Sequence, residues 1–307
     1  MSIFQAMILG LVQGATEFIP VSSSAHLVLV PWFLNWPNPG LAFDTVLHLG
    51  TLLAVLTVFW RDFYAIAVAW LRHVARMVAG RHLEPGSYPE RGTEPWFMKM
   101  LRCAQHDDGD ACAVHGTDAA QAKMAWWIIL GTVPAAVMGT LWEEQFEALF
   151  HSPVHVSALL LVTGLWLMLA ERFGCRQHQA EDLRWWQVLL MGIAQGCAIA
   201  PGISRSGATI GAGLFLGLRR EAATRFSFLL ATPIILGAGL LQVKRLLASP
   251  NLDAALLPLV LAFLAAFLSG YACIRFLLSF VRRRGVQVFA AYCWLLGCTA
   301  IVIYLLR

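Results

Sequence analysis

Long apolar runs alternate with short polar stretches along the whole chain. Two of these runs, 1–35 and 185–218, are interrupted by Pro, Gly and Ser residues. Such breaks free backbone groups that lipid cannot satisfy, so we expect them only inside protein or beside a wet cavity. Further runs approach the roughly 20 residues that a helix needs to cross a bilayer: 41–60, 123–142, 154–171, 226–243, 253–280 and 286–306. The pattern predicts an all-α integral membrane protein with about six transmembrane helices and two re-entrant helix-loop-helix hairpins.

The composition agrees with lipid as the solvent. Hydrophobic residues make up 59% of the 307 residues and charged residues 13%, whereas soluble domains carry about 25% charged residues. The net charge is +4, and the positive residues form short clusters between the apolar runs. This is the positive-inside pattern of a membrane protein and not the basic stripe of a nucleic-acid-binding protein. We predict no cleavable signal peptide, because a basic n-region is missing before Glu17, the first charged residue.

The arginine clusters predict the orientation of the chain. They follow the first, third and fifth predicted spans and the second interrupted run, whereas the loop 143–153 carries Glu residues and no Lys or Arg. If every arginine cluster is cytoplasmic, the run 185–218 enters and leaves the bilayer on the same side. Residues 62–79 extend the first helix or lie at the membrane interface. The long polar stretch 80–122 is predicted to be a cytoplasmic loop.

Within that loop, two cysteines and two histidines alternate. Cys103, His106, Cys112 and His115 form the pattern C-x2-H-x5-C-x2-H. Cys and His are common zinc ligands, but this spacing differs from that of zinc fingers and ribbons. Aspartates within the stretch favour a solvated loop, so zinc binding is the less favoured alternative.

The two interrupted runs resemble each other and indicate an internal repeat. The pair Gln13-Gly14 recurs as Gln195-Gly196, and Val21-Ser22-Ser23-Ser24 aligns with Ile203-Ser204-Arg205-Ser206 at the same offset of 182 positions. Each half would hold one hairpin and three spans, so the halves would have opposite orientations in the membrane. We predict a first inverted repeat at 1–171, a connecting loop at 172–184 and a second inverted repeat at 185–307. Coincidence among small residues is the weaker alternative.

Two charges lie at membrane depth, one in each interrupted run. Glu17 follows an apolar stretch, and Arg205 lies between apolar flanks in the second break. A charge inside the bilayer costs several kcal/mol unless it is paired, neutralised or bound to a ligand. We therefore interpret both residues as functional, with a purely structural Glu17–Arg205 ion pair as the alternative.

The second break has the composition of an anion site. Its glycines let backbone N–H groups turn inward, and a helix that begins near Ser206 or Gly207 would direct its positive end into the same cavity. Ser204, Ser206 and Thr209 add hydroxyl donors beside the Arg205 guanidinium. The alternative is that these small residues serve close helix packing.

The first break carries the elements of an activated nucleophile. Ser22, Ser23 and Ser24 precede His26, which lies about one helical turn beyond Ser23. The alternative is that the serines cap the resuming helix and that His26 is a core residue. Asp44 and His48 could also face the cavity, although packing or an interfacial position is favoured for them.

These two breaks carry the resemblance to a known family. Residues 13–26, QGATEFIPVSSSAH, and 201–210, PGISRSGATI, resemble the two signatures of the undecaprenyl-diphosphate phosphatase family of the bacitracin-resistance type, and 226–233, FSFLLATP, is similar as well. The resemblance covers nearly the whole chain apart from the loop 80–122, which is longer than usual. Gln13 stands where that family has Glu or Gln, and Ala25 stands where it usually has Gly. Because Gln13 removes one charge, it weighs against a metal held by two carboxylates.

The resemblance implies a function, a cofactor and partners. It implies hydrolysis of undecaprenyl diphosphate to the monophosphate carrier lipid of the cell wall, with Mg²⁺ or Ca²⁺ as cofactor and Glu17 as its ligand. It implies a site open to the extracytoplasmic side of the bacterial cytoplasmic (inner) membrane. The expected partners are the polyprenyl diphosphate and the bilayer, without nucleic acid. A homodimer is allowed, and the sequence leaves the oligomeric state open.

The mechanism that we predict has Ser23 attack the terminal phosphorus, with His26 or Glu17 accepting its proton and Arg205 stabilising the transition state. Gln13, Ser22 and Ser24 would bind substrate together with Ser204, Ser206, Gly207 and Thr209. Direct attack by water, with Ser23 only binding, is the alternative chemistry. A lipid flippase or secondary transporter that uses the same cavity is the alternative function.

Overall fold

The computed structural model describes residues 1–37, 40–78, 118–150, 152–247 and 252–307. The helices in these residues are α1 (Ile3–Phe18), α2 (Ser23–Leu34), α3 (Leu41–Val58), α4 (Trp60–Val78), α5 (Asp118–Leu141), α6 (Glu143–Leu149), α7 (Pro153–Phe173), α8 (Trp185–Cys197), α9 (Arg205–Phe215), α10 (Arg220–Leu247), α11 (Leu252–Arg283) and α12 (Gln287–Leu306). No β-strand is formed in the described part of the chain, apart from an isolated bridge between His178 and Leu218. The all-α prediction is confirmed.

The long apolar helices match the predicted spans closely. Among the described residues, five helices are long and apolar enough to cross a membrane, namely α5, α7, α10, α11 and α12, and a sixth span results if the broken pair α3 and α4 is counted as one. The protein is therefore a multi-pass membrane protein. Some boundaries differ from prediction. Helix α5 begins at Asp118, inside the stretch predicted as a loop, and α10 begins at Arg220, ahead of the predicted start at 226. The acidic stretch 143–153 contains a further short helix, α6.

The chain forms two compact units, and the larger one comprises Met1–Trp60 and Trp126–Arg307. The smaller unit, Arg61–Ala125, contains most of α4 and the first residues of α5. Within the smaller unit, the Arg72 guanidinium lies 3.3 Å from the Asp118 carboxylate, and both side chains are exposed. An exposed pair of this kind contributes at most about 1 kcal/mol.

Both interrupted runs form broken helix pairs with the same capping arrangement. The Ser22 hydroxyl accepts a hydrogen bond from the Ala25 N–H at 3.3 Å and caps α2. The Ser204 hydroxyl accepts one from the Gly207 N–H at 3.1 Å and caps α9. A serine side chain therefore satisfies an N–H group that each restarting helix would otherwise leave unpaired.

Glycines let the first helix of each pair approach a long apolar helix. A Cβ added to Gly14 of α1 would lie 2.4 Å from the Ala266 carbonyl oxygen of α11. A Cβ added to Gly192 of α8 would lie 2.4 Å from the Gly131 carbonyl oxygen of α5. Such distances leave no room for a side chain, so both contacts require glycine.

The helix contacts are consistent with an exchange of the two predicted halves. In the predicted repeat, α8 is the counterpart of α1, and α5 is the counterpart of α11. The contact between α1 and α11 then has a counterpart in the contact between α8 and α5, and the structure contains both contacts. In the same exchange α3 and α10 are counterparts of each other, as are α7 and α12. The two helices of each pair pack closely together. The internal repeat itself stays a prediction. The boundaries and membrane orientation of its halves stay predictions.

A buried acid ties several elements of the larger unit together. The Glu171 side chain, in the last turn of α7, is 2% exposed. Its carboxylate accepts hydrogen bonds from Arg220 Nε at 3.1 and 3.2 Å and from the Val286 N–H at 3.2 Å, and it lies 3.1 Å from Arg176 Nη1. A Cβ added to Gly285 would lie 2.8 Å from Glu171 Oε1. The carboxylate thus joins α7, α10 and the α11–α12 turn.

Candidate active site

Each broken helix pair has a tip, formed by the break and the residues next to it: residues 17–26 form the first tip, and residues 198–209 form the second tip. The two tips meet at an ion pair between Glu17 and Arg205. Glu17 lies in the last turn of α1, and Arg205 is the first residue of α9. One Arg205 Nη atom contacts Glu17 Oε1, and the two side chains are 20% and 2% exposed. The two charges that the sequence places at membrane depth therefore neutralise each other, which offsets part of the cost of burying them.

The second oxygen of Glu17 is surrounded by residues of the first half. Ser23 donates its hydroxyl hydrogen to Glu17 Oε2 at an oxygen–oxygen distance of 2.6 Å. Gln13, one turn earlier on α1, donates from Nε2 to the same oxygen at 2.8 Å. The break between α1 and α2 allows this geometry, because it returns the chain so that the first residue of α2 faces the last turn of α1.

His48 also belongs to this cluster. Its Nδ1 lies 2.7 Å from the Asp44 carbonyl oxygen, which can only accept, so Nδ1 carries the proton. Its Nε2 lies 3.5 Å from Glu17 Oε2, and the imidazole is 30% exposed. The sequence favoured packing or an interfacial position for His48, and the structure corrects this. No local pattern links α3 to α1, so the contact could not be deduced from spacing.

His26 does not complete a triad with Ser23. Its Nδ1 lies 2.7 Å from the Ser22 carbonyl oxygen and its Nε2 lies 2.8 Å from the Tyr292 hydroxyl. Both ring nitrogens are thus engaged away from Ser23 and Glu17. In this geometry Glu17 accepts the hydrogen bond of the Ser23 hydroxyl, so of the two predicted proton acceptors only Glu17 is in place.

The hydroxyl groups of the second tip are engaged within the protein. Ser206 donates to the Ile19 carbonyl oxygen of the other tip at 3.3 Å, and its hydroxyl lies 3.3 Å from that of Ser204. Thr209 is fully buried, and its hydroxyl lies 2.5 Å from that of Ser227. Ser206 therefore connects the two tips, whereas Thr209 faces α10. In the first tip, the hydroxyls of Ser22 and Ser24 lie 3.1 Å apart.

The residues around Glu17 fit a divalent cation only when a phosphate supplies further oxygens. Among the described residues, no three His, Cys, Asp or Glu side chains come together as a metal site. Gln13 Oε1 is buried and has no hydrogen-bond partner there, and Glu17 Oε1 is held by the ion pair without an aligned hydrogen bond. Mg²⁺ commonly binds one or two carboxylates plus substrate phosphates, which matches one carboxylate and one amide oxygen.

The possible zinc pattern at Cys103 to His115 lies outside the described residues.

Comparison with known proteins identifies the family. The model of the family described as bacitracin resistance protein BacA matches residues 6–299. The chain belongs to this family. Relatives named undecaprenyl-diphosphatase include proteins of Moorella thermoacetica, 38% identical over 307 residues with all of both chains covered, and of Desulforudis audaxviator, 39% identical over 309 residues with the same coverage. One from Methanosphaera stadtmanae is 37% identical over 303 residues, covering 99% of this chain and 98% of its own.

Membership in the BacA family confirms the resemblance seen in the two breaks. The matched region runs from within α1 to within α12, so it includes nearly all of both broken helix pairs and of the described helices that could span the membrane. Within it, the residues of the two signature-like segments meet at Glu17 and Arg205. The sequence therefore identified both segments that build the cluster, although it could not show which of their side chains touch.

Proposed function

We propose that the chain hydrolyses undecaprenyl diphosphate to undecaprenyl phosphate and inorganic phosphate, and so recycles the carrier lipid of cell-wall synthesis and confers resistance to bacitracin. The name shared by its full-length relatives supports this activity over the flippase alternative. The observation that carries the proposal is the contact of Ser23 and Arg205 with the same buried carboxylate, Glu17. This places a hydroxyl nucleophile, a proton acceptor and a phosphate-binding cation in one cluster.

Binding would begin with an exchange of partners at Arg205. The diphosphate carries more negative charge than Glu17 and offers several oxygens to the planar guanidinium fork. Arg205 therefore turns from Glu17 to the phosphates while the prenyl tail stays in lipid. The positive end of α9, where Ser204 and Ser206 lie, faces the same charge.

The reaction that we propose uses the hydrogen bond already present between Ser23 and Glu17. Ser23 Oγ forms a bond to the terminal phosphorus while its proton passes to Glu17, and the bond from that phosphorus to the bridging oxygen breaks. Undecaprenyl phosphate leaves, and water then attacks the phosphoserine, releases inorganic phosphate and restores the hydroxyl. Direct attack by water on the diphosphate remains the alternative. In both routes Arg205 stabilises charge on the phosphoryl oxygens.

We also propose that Glu17 and Gln13 Oε1 hold Mg²⁺ or Ca²⁺ together with phosphate oxygens. When bound, the cation would neutralise phosphate charge beside Arg205.

The location that we propose is the cytoplasmic membrane, with the site open to the extracytoplasmic side. Arg172, Arg219 and Arg282 lie at or next to the ends of apolar helices. Under the positive-inside rule these arginines mark the cytoplasmic side, which supports the proposed orientation.

The activity is tested by phosphate release from undecaprenyl diphosphate with the purified full-length protein in detergent. Wild-type protein should release phosphate from this lipid and, more weakly, from farnesyl diphosphate. The same protein in liposomes is tested for movement of labelled undecaprenyl phosphate between leaflets, which is compatible with hydrolysis. Lipid movement without phosphate release would replace the phosphatase proposal by the flippase.

Ser23→Ala should reduce phosphate release about a hundredfold or more, because it removes the nucleophile and its bond to Glu17. Ser279→Ala is a matched control, since Ser279 is exposed on α11. Rapid mixing with labelled substrate should detect phosphoserine in wild-type protein and none in Ser23→Ala. A Ser23→Ala rate within tenfold of wild type would exclude the covalent route and favour direct attack by water.

Gln13→Glu should strengthen divalent-cation binding, because it adds a second carboxylate one turn before Glu17. We expect about a tenfold lower dissociation constant for Mg²⁺, measured by titration calorimetry with a non-hydrolysable diphosphate present. Gln187→Glu, near the start of α8, adds the same charge away from the cluster and should leave binding unchanged. Equal Mg²⁺ affinity in Gln13→Glu and wild-type protein would contradict the proposed ligand pair.

A further inference from the structure

Helix α12 contacts the first tip at two successive residues that the proposed reaction does not use. The Tyr292 hydroxyl lies 2.8 Å from His26 Nε2. The Cys293 thiol donates to the Pro20 carbonyl oxygen at 3.7 Å. These contacts lie on either side of Ser22 and Ser23 in the chain, so α12 holds both ends of the segment that presents the nucleophile.

The hydrogen bonds of His26 fix its tautomer. The Ser22 carbonyl oxygen, 2.7 Å from Nδ1, can only accept, so Nδ1 must carry a proton. In the neutral imidazole Nε2 is then an acceptor, and Tyr292 donates its hydroxyl hydrogen to it. The two rings are nearly parallel, with an angle of 4° between their planes and 5.7 Å between their centroids. Tyr292 thereby orients the ring whose other nitrogen holds Ser22.

Ser22 needs this support because its backbone is strained. Its φ is 66° and its ψ is 95°, in a region that residues other than glycine rarely adopt. Such a conformation is unfavourable and persists only where surrounding contacts enforce it. The His26 imidazole holds the Ser22 carbonyl, and the Ser22 hydroxyl caps α2 at Ala25. The next residue is Ser23, so the angle at Ser22 sets the direction of the Ser23 side chain.

We propose that Tyr292 is a positioning residue that acts through His26 and Ser22 to hold the Ser23 hydroxyl on Glu17. This inference rests on the proposed function. It also makes His26 a positioning residue and not the acceptor of the Ser23 proton. Tyr292 lies in the second half of the chain, so it couples the first tip to the helix of the other half. Its hydroxyl hydrogen bond and its ring contact are both with His26.

Steady-state kinetics of Tyr292→Phe provide the first test. The variant keeps the ring and loses the donor, so we expect kcat to fall roughly tenfold, because small misplacement of a nucleophile is costly. KM should stay within about twofold, because the residues that bind the phosphates are untouched. Tyr304→Phe is the matched control: Tyr304 lies on α12, and its ring packs against Trp32. A Tyr292→Phe kcat equal to that of Tyr304→Phe overturns the proposal.

A double-mutant cycle separates action through His26 from independent packing. In a His26→Ala background, Tyr292→Phe should change kcat by less than about twofold, since the group through which it acts is gone. A further tenfold loss in that background would show that Tyr292 acts by another route and would overturn the proposal.

Nitrogen-15 NMR of histidine-labelled full-length protein in detergent gives a test that needs no activity. The His26 signals, assigned by their loss in His26→Ala, should show a protonated Nδ1 and an unprotonated Nε2. Tyr292→Phe should shift the Nε2 signal, and Tyr304→Phe should not. If wild-type protein released no phosphate but this shift occurred, the phosphatase proposal would fail while the contact stood. An unmoved Nε2 signal would overturn the positioning role itself.

Discussion

Arg205→Ala should reduce phosphate release by at least about a thousandfold, because a single arginine that stabilises phosphoryl-transfer charge is worth roughly 10³–10⁵ in rate. In this chain the effect has two parts. The variant removes the guanidinium that would bind the phosphates, and it leaves the buried Glu17 without its cationic partner. Two unneutralised negative groups would then face each other, so binding and turnover should both suffer.

Arg205→Lys separates charge from geometry. Lysine keeps the positive charge but offers a point charge in place of a planar fork, so it cannot hold two phosphate oxygens in the same way. We expect this variant to lose roughly a hundredfold, which lies between Arg205→Ala and wild type. Arg275→Lys is the matched control, because Arg275 is exposed on α11 and contacts Tyr271 on the same helix. Wild-type turnover by Arg205→Ala would refute the proposed site.

Helix positions and breaks were predictable because they follow from local physics. Apolar length and interrupting Pro, Gly and Ser residues mark a span or a break without knowledge of tertiary contacts. Every predicted span corresponds to a helix of the structure, and both interrupted runs are broken helix pairs. The capping serines at positions 22 and 204 follow the same local rule, since a restarting helix needs a side-chain acceptor.

Contacts between distant segments were not predictable from spacing. His48 lies on a separate helix from Glu17, and Tyr292 is separated from His26 by 266 positions. Neither residue belongs to a motif, so their roles depend on how α3 and α12 pack against the first tip. Thr209 shows the opposite case: it lies within a signature-like segment, yet its side chain points to Ser227. The motif therefore predicted which segment lies near the cluster, but it did not predict the direction of each side chain in that segment.

Glu171 is a further residue that local patterns could not single out. It lies at the end of a span beside Arg172, where an exposed charged residue is common. In the structure its side chain is almost fully buried and receives two guanidinium groups and a backbone N–H. The difference arises because the start of α10 and the α11–α12 turn close over the end of α7.

Glu171→Gln should destabilise the folded protein by roughly 3 kcal/mol, because removal of one partner of a buried ion pair leaves the other charge uncompensated. Arg220 and Arg176 would both lose their carboxylate, and the amide could satisfy only part of their hydrogen bonds. Glu221→Gln is the matched control, since it breaks the exposed pair with Arg282 and should cost at most about 1 kcal/mol. Unfolding of the two variants in detergent, followed by loss of helical signal with heat or denaturant, gives the comparison.

The double variant Glu171→Gln, Arg220→Gln identifies the origin of that loss. If the cost of Glu171→Gln comes mainly from the stranded guanidinium of Arg220, then removing both charges should cost less than the sum of the two single changes. Because Glu171 lies outside the Glu17 cluster, kcat at low temperature should stay within about twofold of wild type while stability falls. Equal stability losses for Glu171→Gln and Glu221→Gln would show that the buried carboxylate does not hold α7, α10 and the α11–α12 turn together.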